Sequence, residues 1–178
     1  MPTSNAPAFT VFATVGTETY PFDRLVGWVD DWAGSSPRGV RCVVQYGTSQ
    51  APEHAEGSDY LAFERVRALL DEADVVVCHG GTGSVMLARA AGRTPIVVPR
   101  VQARGEHVDD HQVEFARRLA GLGEIALAEG RERLHELLDA AASGERSFAG
   151  DASDGHVGRA VDRFAGLVDG LLSRKPGK

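Results

Sequence analysis

Short apolar runs alternate with longer amphipathic segments along most of this chain, and that rhythm restricts its fold more than any other feature. Runs of three to seven residues at 9–15, 41–45, 75–78, 96–98 and 125–128 have strand length. The run at 75–78, Val-Val-Val-Cys, has no polar alternation, which is the pattern of a strand buried on both faces. Between the runs lie helical patterns at 22–33, 66–73, 82–91, 108–122 and 132–142. In the first of these, Phe22, Leu25, Val26, Val29 and Trp32 fall on one stripe. A further short strand is expected at 60–63, after a turn-rich loop at 46–58. Strands alternating with helices of about ten residues imply βαβ units, so the expected fold is an α/β, doubly wound parallel sheet covered on both faces.

The 178 residues are expected to divide into an α/β domain at 1–142, a Ser/Gly/Asp-rich linker at 143–155 and a C-terminal helix with a basic tail at 156–178. Along that helix Val157, Val161, Phe164, Val168 and Leu171 draw an apolar stripe, which either packs back on the domain or docks a partner. The excess of 25 acidic over 19 basic side chains gives a net charge of −6, which argues against broad nucleic-acid binding. Cys42 and Cys78 sit inside apolar runs, as reduced thiols do in a cytoplasmic protein. No stretch approaches the about 18 apolar residues of a spanning helix, and residues 1–8 do not read as a signal peptide.

In open α/β sheets, ligands bind beyond the carboxyl ends of the strands. Two turns there are rich in glycine. Thr14-Val15-Gly16-Thr17 leaves the first strand, and His79-Gly80-Gly81-Thr82-Gly83-Ser84 leaves the 75–78 strand to open a helix. Close-approaching backbone amides, hydroxyls and a helix N-terminus suit an anion, above all a diphosphate. No lysine follows the glycines as in a P-loop, and Met86 stands where the dinucleotide fingerprint has its third glycine. The glycines also fit a second reading, as tight turns only.

A third feature is Glu106-His107-Val108-Asp109-Asp110-His111-Gln112. His107 and His111, four apart, would share a helix face and form half of a zinc site, with Glu106 or Asp110 as third ligand. Capping by Asp109 or Asp110 beside solvated histidines is the plain alternative. The favoured reading is a cluster contacting sugar or phosphate, with no metal and no cofactor.

Phe12-Ala-Thr-Val-Gly-Thr17, Pro21-Phe-Asp-Arg-Leu-Val26 and Val44-Gln-Tyr-Gly-Thr48, followed by His79–Ser84, Pro95-Ile-Val-Val-Pro-Arg100 and Glu106–Gln112, resemble in order the C-terminal domain of family-28 glycosyltransferases. The short, free-standing members are the most similar, and the peptidoglycan enzyme MurG carries a related domain. The resemblance implies the Rossmann-like half of a GT-B transferase. Such a half holds a UDP-sugar and works with a membrane-associated subunit that binds a lipid-linked acceptor. The chain itself is then cytoplasmic, held at the inner membrane face through that partner. By position, Gly16 and Thr17 would face the diphosphate, and 80–84 would border the donor. His111 and Gln112 would touch the sugar. Members of the MurG group bind the donor without a metal and invert the anomeric centre.

The resemblance breaks at Leu87, where the family has a glutamate that hydrogen-bonds the ribose. Glu106 is a candidate substitute. No catalytic residue is assigned, since His79 fits a structural role as well as a titrating one. The other readings are a catalytically impaired sugar-nucleotide-binding subunit and a nucleotide-sugar epimerase.

Overall fold

A computed structural model describes residues 9–36 and 39–150. The terminal helix expected at 157–172 and its basic tail lie outside the described residues.

Six strands form one parallel sheet: β1 (Phe9–Thr14), β2 (Val40–Gln45), β3 (Glu56–Ser58), β4 (Val75–His79), β5 (Ile96–Val98) and β6 (Ala126–Leu127), in the order β3-β2-β1-β4-β5-β6. The helices are α1 (Asp23–Ser35), α2 (Phe63–Glu72), α3 (Thr82–Ala90), α4 (His111–Gly121) and α5 (Arg131–Ala142). This is the doubly wound arrangement. Its strand order reverses between β1 and β4, where crossovers depart to opposite faces and leave a crevice at the carboxyl ends.

Successive side chains of a strand point to opposite faces, and here both faces are covered. Val11, Ala13, Val75, Val77, Ile96 and Val98 pack with Leu25, Val29 and Trp32 of α1 and Leu134 and Leu138 of α5. The intervening Phe12, Val43 and Val76 meet Leu69, Leu70 and Ala88 of α2 and α3, while Cys78 and Val97 meet Phe115 and Leu119 of α4. Two-sided burial is why the central strands read as unbroken apolar runs. The Trp32 indole donates to Asp139 at 2.8 Å and joins α1 to α5. Both cysteines are free and buried, and burial pushes each thiol up to about 12, so neither is a thiolate near neutral pH.

Three expectations need correction. The strand expected at 60–63 is absent; β3 forms earlier, and Phe63 begins α2. With Tyr60 and Phe63 about half exposed, aromatic composition there did not signal a buried strand. The helix expected from 108 starts at His111, because the Asp109 carboxylate accepts the His111 amide and shapes a turn first. As far as Gly150, the stretch expected as a linker is packed on the domain: Phe148 is buried in the core, and its carbonyl accepts the Thr94 amide at 2.8 Å.

The loop after β2 carries no regular structure of its own, and its second half is anchored by one carboxylate. Asp30 of α1 is buried and accepts the amides of Glu53, His54 and Ala55 at 2.8–2.9 Å, with the His54 ring at 3.1 Å. Burial pushes its pKa up, but the hydrogen bonds from Ala55, Glu53 and His54 outweigh burial and hold it below 3.8. A carboxylate with a lowered folded pKa stabilises the fold above its unfolded value and loses that contribution as pH falls through the folded one. Asp30→Asn is therefore expected to cost about 2–3 kcal/mol at pH 7. Urea unfolding should show a lower midpoint with unchanged slope, and the gap from the native chain should close below about pH 4.

Candidate functional site

The β1 and β4 turns meet around one imidazole. His79 ends β4, where Val98 of β5 pairs with it, and it is buried. The Gly81 amide donates to its Nδ1 at 3.1 Å, so the proton sits on Nε2, which faces the Ser84 hydroxyl at 3.0 Å. A Cβ on Gly81 would lie 2.1 Å from Cε1 of this ring, and one on Gly16 would lie 2.3 Å from Nε2. Gly16 also has φ 77°, a conformation glycine adopts without strain. Both glycines therefore make room for His79 first. Their freedom toward a ligand is a consequence of that packing.

Burial lowers the His79 pKa from 6.5 to about 4, with the Arg100 and His107 charges adding to it and a Gln112 hydrogen bond opposing it. His79 is thus a neutral wedge near pH 7, packed between the two turns.

Beneath the crevice lies Arg100, with no exposed surface. Its guanidinium donates to the carbonyls of Tyr20 at 2.8 Å, Val15 at 2.9 Å and Glu106 at 3.1 Å, and it covers the Phe22 ring at 4.7 Å. Burial lowers its pKa, opposed by the Glu18 and Glu106 charges. Gln45, also buried, donates to the Thr14 hydroxyl and the Gly16 carbonyl and accepts the Leu61 amide. Sequence reasoning missed both as site builders. Their signal is a polar residue at the end of an apolar strand run.

Above these supports opens a cleft of about 570 Å³, within the size range of small-ligand sites. Its polar side comprises Thr14, Gly16, Thr17, Glu18, His79, Gly81, Thr82, Gly83 and Ser84, and His107, His111 and Gln112 also line it. Leu61, Phe63, Val66, Leu70 and Leu87 form an apolar side that the motifs did not reveal. The N-terminus of α3 has no side-chain cap, so its first-turn amides face this space with the positive end of the helix dipole.

Three expected site residues do not line the cleft. Gly80 is packed under Gln112, whose carbonyl would lie 3.1 Å from an added Cβ. Asp110 accepts the Gln102 amide at 2.8 Å and lines a different depression. Glu106 is buried and pairs bidentately with Arg24, Oε1 to Nε at 2.7 Å and Oε2 to Nη2 at 2.8 Å, while also accepting the Val101 amide. It is thus committed to a loop brace and is no substitute for the missing glutamate. Gln112, although at the cleft, is nearly fully buried, with its side-chain oxygen near the Arg100 amide at 3.3 Å.

His107 and His111 both reach the cleft, but they do not share a helix face: His107 precedes α4 and His111 begins it. Their rings meet edge to face with centroids 4.8 Å apart. Asp109 contacts both, His107 at 3.4 Å and the His111 Nδ1 more closely. The His111 amide, then its ring, holds the Asp109 carboxyl below 3.8.

A doubly wound parallel sheet with glycine turns converging at its switch point defines a Rossmann-like α/β domain. Residues 10–156 match the glycosyltransferase family 28 C-terminal domain, and the chain belongs to that family. No curated protein matches its sequence. Among solved structures, the glycotransferase of kitacinnamycin is 17% identical with a TM-score of 0.61, covering 96% of this chain and 41% of its own. The solution structure of ALG13 is 19% identical with a TM-score of 0.58, covering 89% of this chain and 94% of its own. Acinetobacter baumannii MurG is 18% identical with a TM-score of 0.52, covering 90% of this chain and 50% of its own. This chain thus spans half or less of the kitacinnamycin enzyme and MurG, and most of ALG13.

The wedge makes a specific prediction. Gly81→Ala must displace the His79 ring and is expected to cost about 1–3 kcal/mol. In a His79→Ala background the same change should cost less than half as much, since the ring it strikes is gone. A double-mutant cycle by chemical denaturation measures the difference.

Proposed function

We propose that this chain is the donor-binding half of an inverting glycosyltransferase, holding a UDP-sugar in the β1/β4 cleft. One observation carries the reading: the switch-point cleft joins an uncapped helix N-terminus and hydroxyls on one side to an apolar wall on the other. The diphosphate would meet the α3 amides with Thr82 and Ser84, and the flat base would lie along Leu61, Phe63 and Val66. Thr17 and His111 stand where the sugar and diphosphate would pass. The sugar would be a hexose or GlcNAc.

The acceptor would be lipid-linked and held by a membrane-associated partner subunit. Two facts support this division: longer structures with this fold carry roughly as much chain again or more, whereas ALG13 is of similar extent. Among the described residues no helix is long and apolar enough to cross a membrane, so on this reading the partner supplies the attachment, at the cytoplasmic face. Inverting transfer needs a general base at the acceptor hydroxyl. With its Nδ1 lone pair taken by the Gly81 amide and its basicity lowered by burial, His79 is unsuited to that task, and on this reading the base belongs to the partner half. A binding subunit with impaired catalysis is the second reading, favoured by Leu87 in the cleft wall where the family has its ribose-binding glutamate.

The two readings part in a transfer assay. Incubating the chain and its partner with radiolabelled UDP-sugar and lipid acceptor should release UDP and label the lipid. Binding of UDP without transfer selects the second reading, and no binding removes both. Leu87 is partly exposed on the cleft, so a glutamate there keeps access to water. Leu87→Glu is expected to tighten UDP binding by about 10- to 100-fold, as measured by calorimetry, from a restored hydrogen bond worth about 1.5–3 kcal/mol.

A further inference from the structure

The mouth of the cleft carries a side-chain group that donor binding alone does not explain. The ligating atoms of His107, Asp109 and His111 lie within 4.8 Å of one another. The His107 side chain is only 10% exposed, yet its Nδ1 has no hydrogen-bond partner while facing the Asp109 carboxylate at 3.4 Å. A buried imidazole nitrogen aimed at a carboxylate and left unpartnered is uncommon, because buried polar atoms are nearly always hydrogen-bonded. A hydrogen bond between Asp109 and His111 accounts for those two residues and leaves His107 unexplained.

We propose that His107, Asp109 and His111 hold a divalent transition-metal ion, with zinc as the reference, at the mouth of the cleft. Two imidazoles and one carboxylate form a donor set that zinc accepts with its fourth position open. Ligands about 2.0–2.2 Å from a shared ion lie about 3.3–3.6 Å apart, so the cluster reaches that spacing by opening the Asp109–His111 contact and drawing the wider separations in. The parts are suited to it. His107 is held by burial, whereas the Asp109 and His111 side chains are each 56% exposed and can adjust. Since His107 and His111 line the cleft, the open position faces the ligand space. The third ligand is Asp109, not Glu106 or Asp110, whose carboxylates are engaged elsewhere. The site shares the mouth of the cleft with the proposed donor but does not rest on that reading, and the resemblance to the MurG group gives no reason to expect it.

Zinc alone tests it, without nucleotide. The full, untagged chain, stripped with a chelator, is titrated with Zn²⁺ by calorimetry and with Co²⁺ by visible absorption. One equivalent should bind, with cobalt bands of a four- or five-coordinate site. His111→Ala, at an exposed position, should weaken binding by about 100-fold or more, beyond the effect typical of outer-shell changes. His107→Gln, which roughly keeps the buried volume, should do the same with unchanged circular dichroism. His54→Ala, His135→Ala and His156→Ala should bind as the native chain does. Absence of saturable binding overturns the proposal, as does undiminished affinity in His111→Ala. If His107→Gln fails to fold, His111→Ala decides.

Discussion

The Arg100 guanidinium holds the site together. Loops that follow different strands need a common fastening if they are to present a fixed cleft, and backbone carbonyls in such loops need donors wherever water is excluded. Arg100 supplies both needs. From the end of β5 it reaches the carbonyls of Val15 and Tyr20 after β1 and of Glu106 before α4, stacked on Phe22. A planar guanidinium with several fixed donors and a charge that survives burial suits this role, and a lysine would not replace it. Glu106 extends the brace to Arg24 of α1, so two arginines on separate elements converge on the loop that bears His107.

His79 is the counterpart on the other side of the crevice. It is wedged between Gly16 and Gly81, spends one nitrogen on the Gly81 amide and offers the other to Ser84. Its low pKa follows from that burial. Acidification below about 6.5 therefore works against the folded state, because the unfolded chain takes up a proton the wedge refuses until about pH 4. The two supports fix a cleft whose ligand-facing groups are mostly backbone amides and hydroxyls. The ionisable exceptions, Glu18, His107 and His111, stand on loops or at the start of a helix.

This division bears on how the domain works. On the proposed reading, a half that presents amides, hydroxyls and an apolar wall would bind and orient the donor, and the base for transfer would come from the partner. Leu87 belongs to the same apolar wall. A cation at His107, Asp109 and His111 would give this lining a positive centre at its mouth.

The sequence by itself determined the parallel doubly wound sheet, the placement of glycine turns at strand ends and the family. Periodicity reports which faces are buried, and two-sided burial of Val75–His79 left little else for that run to be. The ordered motifs also carried the polar side of the cleft. Tertiary structure alone decided which way each polar side chain turned. Glu106, His107, Asp109, Asp110 and His111 are near neighbours in the chain, yet they separate into a buried brace, a cluster at the cleft and a loop contact. Arg24 chose among them from 82 residues away, and spacing in the sequence carries no trace of that distance. The apolar wall was hidden for the same reason: Leu61 and the α2 residues Phe63 and Val66 form one surface with Leu87 only when α2 and α3 pack on the same face of the sheet.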